Sequence, residues 1–355
     1  MNELKSPFPY FGGKRAVADI VWHRFGNVKN LAEPFAGSLA VLLARPAEHF
    51  TSEAHRIETV NDISAFLSNF WRATQHQPDV AAAFAEWPTD ELSLHARGDA
   101  LFYRGCKGFD GVFRTPSEFI EKLRGDEDWF DPKIAGWWVW GLSNWIGDNW
   151  SAKKESEVVR SLPHLGDSGQ GVARQLPHLG CAGRGVARKL PGLGDSGQGE
   201  CARHLAALTE WFVALADRLR HVRICCGDWQ RVVSDSVILH PGTPCGIFLD
   251  PPYSQTAGLD TVYADHDPNV SATVRKWAIA NGDRPELRIA LCGYEGEHAM
   301  PESWECFAWK SQGGYGNQGN NSRGADNAHR ERIWFSPHCI RATIEADLFS
   351  KNVLT

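Results

Sequence analysis

Nowhere does this chain of 355 residues carry an apolar run long enough to cross a bilayer. Its longest runs, such as Ile134 to Trp140, stop well short, which excludes a transmembrane helix. The segment from Met1 to Pro7 lacks the apolar stretch of a secretory signal, so a cytoplasmic location is expected. Nine cysteines, an odd number, include no Cys-x-x-Cys spacing, and neither a disulfide framework nor a zinc site is indicated. Positive charge is also in deficit: the formal net charge of −6 argues against a nucleic-acid partner and leaves local patches to make any phosphate contact. The window 151–203 is one such patch, with eight Lys or Arg against five Asp or Glu, although a solvated loop reads the same way.

A hydrophobic fraction of 43% and a charged fraction of 23% leave room for a full core and a second, smaller domain. Three blocks differ in texture. Residues 1–70 read as helix (Ala16 to Arg24), strand (Asn30 to Glu33), turn (Pro34 to Ser38), helix (Leu39 to Leu43) and a strand ending at Val60. Residues 205–345 return to the same alternation, with a helix from His204 to Arg220, strands at Val222 to Cys226 and Gly246 to Asp250, a helix at Ala272 to Ala280, and strands at Leu287 to Cys292 and Arg332 to Phe335. Strands alternating with helices predict one parallel sheet with helices on both faces, built from the two outer blocks.

Residues 71–204 differ in kind. They begin helical, become dense in tryptophan (Trp129, Trp137, Trp138, Trp140, Trp145, Trp150) and end in a 14-residue near-repeat at 160–201 whose copies open on Arg160, Arg174 and Arg188. Tryptophans at helical spacing are read as packing rather than as stacking partners for bases. Three Pro/Gly-rich copies cannot build a solenoid; arginines recurring at that interval suit successive phosphates, and a flexible loop left by duplication is the other reading.

Chemistry concentrates in five places. Asp250-Pro251-Pro252-Tyr253 directly follows the apolar strand Cys245 to Leu249, and open α/β sheets bind ligands at the carboxyl ends of strands. The two prolines remove two N–H donors, so Asp250 and the Pro251 carbonyl can accept the hydrogens of an exocyclic amine and raise its nucleophilicity, while Tyr253 offers a flat face to a base swung out of a duplex. In Glu33-Pro34-Phe35-Ala36-Gly37-Ser38, a glycine turn before a helix lets a ligand approach the backbone and favours a carboxylate, such as that of a methionine-derived methyl donor. Asp62, ending the next strand, is placed to accept from ribose hydroxyls or to cap the following helix. Asp228, before Trp229, accepts from a cofactor adenine or caps a helix from Trp229 to Ser234. Near the start, Tyr10-Phe11-Gly12-Gly13-Lys14 can pack aromatics on a cofactor with Lys14 facing a carboxylate, or simply dock on the sheet. A polar, Gly-rich stretch from Ser311 to Arg323 reads as a hairpin loop, with Lys310, Arg323, Arg330 and Arg332 available to phosphates.

Taken in order, Phe11-Gly12-Gly13-Lys14, Glu33 to Gly37, Asp62, a long intervening segment, Asp228 and Asp250 to Tyr253 resemble the Dam-like DNA adenine methylases over residues 1–70 and 205–300. The resemblance implies a Rossmann-like methyltransferase sheet, S-adenosylmethionine as cofactor, and a recognition domain inserted over 71–204. It also implies double-stranded DNA as partner and direct methyl transfer to the adenine amino nitrogen without a metal or covalent enzyme intermediate; whether the chain acts as a monomer is left open by the sequence. It assigns Tyr10, Phe11, Gly12, Gly13, Lys14, Glu33, Phe35, Gly37, Asp62 and Asp228 to the cofactor, and Asp250, Pro251, Pro252 and Tyr253 to the target base. Arg160, Arg174, Arg188 and Arg323 are expected at the DNA. The chain departs from the family at Leu39, where a further glycine is common, and its tryptophan-rich and repeat segments do not match in detail, so target recognition is not carried over. A methyltransferase acting on RNA adenine or a protein amide is the competing reading; an idle DNA-binding relative is a third, against which Asp250 and Tyr253 stand intact.

Overall fold

The structure is a computed structural model, which describes residues 4–8, 13–50, 56–144, 201–240, 242–253, 269–309 and 329–341. Among these residues, seven strands form one mostly parallel sheet: β1 (Asn30–Glu33), β2 (Ile57–Asp62), β5 (Val222–Cys226), β6 (Cys245–Leu249), β7 (Leu287–Tyr294), β8 (Glu305–Ala308) and β9 (Glu331–Phe335). Their order is β5-β2-β1-β6-β7-β9-β8. β9 runs antiparallel to both β7 and β8, and the remaining pairs are parallel. A small antiparallel hairpin, β3 (Cys106–Lys107) and β4 (Phe113–Arg114), stands apart.

The mixed α/β architecture, with a mostly parallel sheet flanked by helices, is compatible with a Rossmann-like fold. Outer blocks do share the sheet: β1 pairs with β6, and β2 with β5. β1 and β6 are the point at which the chain turns from building outward in one direction to building outward in the other, and such a reversal opens a crevice at the strands' carboxyl ends.

Alternation along each strand divides the core in two. On β6, Cys245, Ile247 and Leu249 face one cluster, which is closed by Ile238, Val274, Ala278 and Trp304; Phe248 faces the other. The first cluster is covered by α9 (Asp235–Ile238) and α10 (Val270–Asn281). The second is covered by α1 (Arg15–Phe25), α3 (Ala65–His76) and α8 (Cys201–Leu219). α1 buries Val17, Ala18, Val21, Trp22 and Phe25, an apolar stripe at helical spacing. Likewise Leu208, Phe212, Leu215 and Leu219 of α8 are buried.

Residues beyond α3 add α4 (Pro78–Ala85), α5 (Glu91–Asp99), a five-residue π turn (Ala100–Arg104), α6 (Pro116–Gly125) and α7 (Pro132–Asn144). α6 begins with a capping box, in which Thr115 and Glu118 satisfy each other's backbone N–H groups. These helices share the core of the α1 face: Ala81, Leu94, Phe119, Ile134 and Trp140 belong to the same buried cluster as Leu31 and Val60. Trp138 and Trp140 are buried, in keeping with the packing reading, whereas Trp145 and Trp150 lie outside the described residues. Trp87, Trp137 and Trp140 surround the Arg97 guanidinium, with ring centroids 4.7, 5.2 and 4.4 Å away.

Several boundaries differ from the sequence reading. The second strand runs on to Asp62, because pairing with β5 extends through Asp62↔Cys226. The helix expected from Leu39 is α2 (Ala40–Leu43), since Leu39 itself adopts a left-handed conformation at φ 54°. The last strand starts one residue earlier, at Glu331, which pairs with Tyr294. β8 and the β3–β4 hairpin were not expected, being short and without clear alternation. The repeat at 160–201, with Arg160, Arg174 and Arg188, and the loop 311–323, with Arg323, lie outside the described residues. Among the described residues no helix is long and apolar enough to cross a membrane.

Candidate active site

Parallel register brings the ends of β1, β2 and β6 to one edge, so Glu33, Asp62 and Asp250 emerge side by side. They border a single cleft, together with Gly13, Lys14, Phe35, Gly37, Ser38 and Pro252. Residues from four separate stretches of sequence thus converge where a doubly wound topology places a ligand.

The turn after β1 is held from both sides. Gly37 has φ 47°, its N–H donates to Asp62 Oδ2 at 3.1 Å, and its carbonyl accepts from Trp71 Nε1 at 3.0 Å. Asn61 Nδ2 donates to the carbonyls of Pro34 and Gly227, tying this turn to the one that follows β5. Two residues on, Leu39 takes a second left-handed conformation with its side chain fully buried, so a leucine holds a backbone conformation that favours glycine. Such a conformation costs a β-carbon-bearing residue about 1–2 kcal/mol, and the buried side chain offsets it.

Glu33 is 1% exposed, and its Oε1 has no hydrogen-bond partner among the described residues. Burial, reinforced by the nearby Glu58 charge, pushes its carboxyl up from 4.5 to about 8. Asp62 is tied at both oxygens, Oδ1 accepting from Ser64 N at 2.9 Å and Oδ2 from Gly37 N. Burial pushes it up to about 6 even though those backbone bonds pull it down. The cap of α3 is Ser64, whose side chain accepts from Leu67 N, so the capping role considered for Asp62 falls to its neighbour.

Asp250 forms a tight group with Lys14 and Tyr253. Lys14 is 4% exposed, and its Nζ lies 3.0 Å from Asp250 Oδ1 and 5.2 Å from the centroid of the Tyr253 ring. Burial disfavours the ammonium, but the Asp250 and Glu331 charges outweigh it and hold Lys14 protonated well above its ordinary range. Burial pushes Asp250 up, opposed by Lys14. The Tyr253 hydroxyl donates to Glu331 Oε2 at 2.8 Å and lies 3.3 Å from Asp250 Oδ1, while its ring meets Tyr294 edge-on at 4.5 Å. Both contacts to Asp250 fall on Oδ1, which leaves Oδ2 to accept from a ligand. The carboxylate expected opposite Lys14 is thus Asp250 of the chain itself.

No protein-family model matches this chain, and no curated protein does either.

The remaining expected residues separate. Phe35 lines the cleft and stacks on Trp229 at 6.0 Å. Asp228 is exposed and does not line the cleft; its Oδ1 accepts from Gln230 N at 2.8 Å and caps a short 3-10 turn, Trp229–Val232, in place of the longer helix expected there. Tyr10, Phe11 and Gly12 lie outside the described residues. Arg332, considered for phosphate contact, pairs with Glu295 at 2.9 Å, and Arg330 lies over the Tyr294 ring. Glu331 was missed. On β9 it shares a face with Ile333 and Phe335, so a carboxylate at the head of an apolar inward series was the available signal. A second depression, lined by Glu118, Glu121, Lys122, Asp126 and Glu127, is acidic helix surface far in sequence from these motifs. Among the described residues no group of three or more His, Cys, Asp or Glu is arranged to hold a metal ion.

S-adenosylmethionine fits the residues that border the cleft. The unpartnered acceptor on buried Glu33 suits an α-ammonium, the Gly37–Ser38 turn admits close backbone approach, and each Asp62 oxygen retains a lone pair for a ribose hydroxyl.

Proposed function

We propose that this chain transfers a methyl group from S-adenosylmethionine to the exocyclic amino group of adenine in double-stranded DNA. One observation carries the reading: the Asp250-Pro251-Pro252 turn and the Glu33, Gly37 and Asp62 constellation border the same cleft, at the carboxyl ends of adjacent parallel strands. A methyl donor on one side and a base amine on the other would meet there.

When bound, S-adenosylmethionine supplies an electrophilic methyl group. Glu33, Gly37 and Asp62 would hold it, with Glu33 gaining the cationic partner its burial calls for. The residues of the chain then act on the amine. An aromatic amine is a weak nucleophile because its lone pair is delocalised into the ring. Asp250 Oδ2 and the Pro251 carbonyl accept its two hydrogens and make that lone pair more available for an in-line attack. Pro251 and Pro252 contribute by rigidity, since fixed φ angles hold the carbonyl in place without a competing N–H. Lys14 opposes the burial that raises the proton affinity of Asp250, and so favours its ionised, stronger-accepting form. Orienting the two reactants in this way is worth several kcal/mol of barrier, on the order of 7–11 at its upper range.

The deciding experiment is transfer of labelled methyl from S-adenosylmethionine to unmethylated duplex DNA, followed by nucleoside analysis. Methyladenine is the expected product. Label in RNA or protein instead would move the substrate class and keep the cofactor; label in none of the three would sink the reading.

A further inference from the structure

Glu331 is a buried carboxylate, 5% exposed, on a strand that otherwise turns Ile333 and Phe335 to the same side. Isolated acids in such a series are costly, and the ion pair at this one is loose: Lys14 Nζ is 4.0 Å from Glu331 Oε2 and bonded more closely to Asp250. What it does engage is the Tyr253 hydroxyl, at 2.8 Å.

That hydroxyl has one hydrogen and two acceptors within reach, Glu331 Oε2 at 2.8 Å and Asp250 Oδ1 at 3.3 Å. A carboxylate that already accepts from a hydroxyl is a poorer acceptor for anything else. Resting on the function proposed above, we propose that Glu331 is a positioning residue for the amine-accepting turn: by drawing the Tyr253 hydrogen to itself it fixes the tyrosine ring and keeps Asp250 free to accept from the target amine.

The charges facing Glu331 come from every element around it. Lys14 precedes α1, Asp250 and Tyr253 follow β6, Cys292 and Tyr294 lie on β7, and Glu297 is in the turn after β7. Arg330 and Arg332 flank it but are engaged with Tyr294 and Glu295. Burial raises the proton affinity of Glu331, Lys14 lowers it, Asp250 raises it again and the Tyr253 bond lowers it. Asp250 feels the same mutual repulsion. Removing the Glu331 charge, and releasing the Tyr253 hydrogen towards Asp250, both lower the pH at which Asp250 takes up a proton.

Glu331→Gln is expected to bind S-adenosylmethionine as the wild type does. Its single-turnover methylation of duplex DNA should be about tenfold slower, with the acid limb of the pH–rate profile moved to lower pH. A purely structural role would leave that limb in place. The readout independent of turnover is infrared difference titration of the carboxyl groups, with Asp250→Asn used to assign the Asp250 band. An Asp250 midpoint identical in wild type and Glu331→Gln overturns the assignment, whatever the rates do. If Glu331→Gln fails to fold, Tyr253→Phe cuts the bridge from its other end. The Glu331 carboxyl must then titrate at higher pH than in the wild type, and an unmoved midpoint overturns the assignment equally. A wild-type protein that methylates no DNA would overturn the proposed function, while the infrared midpoints still decide whether Glu331 governs Tyr253 and Asp250.

Discussion

Glu33 shows at the scale of one residue how a buried carboxyl in the cleft is kept at the expense of the fold. Its carboxyl titrates near 4.5 when exposed and at about 8 when buried in the folded chain, so the native state holds the proton more tightly than the unfolded one. The stabilising contribution is complete below about pH 4.5 and disappears as pH rises to about 8, with a slope of about 1.4 kcal/mol per pH unit between them. Urea unfolding of the wild type should therefore weaken from pH 5 to pH 8, and Glu33→Gln should flatten that decline while binding S-adenosylmethionine less tightly. Parallel curves for the two proteins would remove Glu33 from the account. Asp250 gives the complementary case. Asp250→Asn keeps an acceptor beside Lys14 but loses the charge, and is expected to lower methyl transfer at least a hundredfold, about 2.7 kcal/mol, with cofactor affinity within a few fold of wild type. Retained turnover would detach the Asp250 turn from the chemistry.

At the scale of elements, α1 links packing to chemistry. It has no side-chain cap at its start and no acidic residue in its first turn; the residue at its N-cap, Lys14, has no acceptor to offer the helix and is turned to Asp250. Its position depends on the buried stripe that ends in Phe25, and the Phe25 ring sits where a β-carbon on Gly246 of β6 would be, 2.8 Å from the nearest ring atom. Gly246→Ala must displace the ring, at about 1–3 kcal/mol. Since α1 carries Lys14, the same substitution should reduce methyl transfer as well as stability. Val274→Ala, in α10 on the opposite face, serves as the comparison: a similar loss of stability, about 2 kcal/mol, with turnover unchanged below the unfolding transition. Equal activity in the two variants would show that α1 does not set the position of Lys14.

For the whole molecule, the proposed function asks a chain with net charge −6 to approach DNA. The arginines at 160, 174 and 188 recur in register with the repeat, and each phosphate they neutralise contributes about 0.9 to the slope of log affinity against log salt. Deleting residues 160–201 is expected to weaken duplex binding and reduce that slope by about 2 to 3. S-adenosylmethionine binding should persist, because the sheet residues that border the cleft lie in the flanking blocks. An unchanged salt slope would show that the repeat makes no phosphate contact.

Much of the framework was legible in the linear chain. β1 and β5 match the residues read as strands, and the Asp250 turn follows its strand as expected, because local alternation, apolar runs and turn residues are short-range signals. Placement of Glu33, Gly37, Asp62 and Asp250 at one cleft followed from the alternation of strands and helices, which orients every parallel strand the same way. Other features were not legible. Lys14 meeting Asp250 spans most of the chain, the Tyr253 hydroxyl turning to Glu331 requires β9 to enter beside β7 in reverse, and the left-handed backbone at Leu39 is the reverse of what a leucine prefers. Local patterns determined most of the strands and helices and the turns that end at the cleft, since each depends on neighbours a few residues away. Which buried charges face one another was decided only by the tertiary structure, because strand order and the direction of the last strands bring together groups that no local pattern connects.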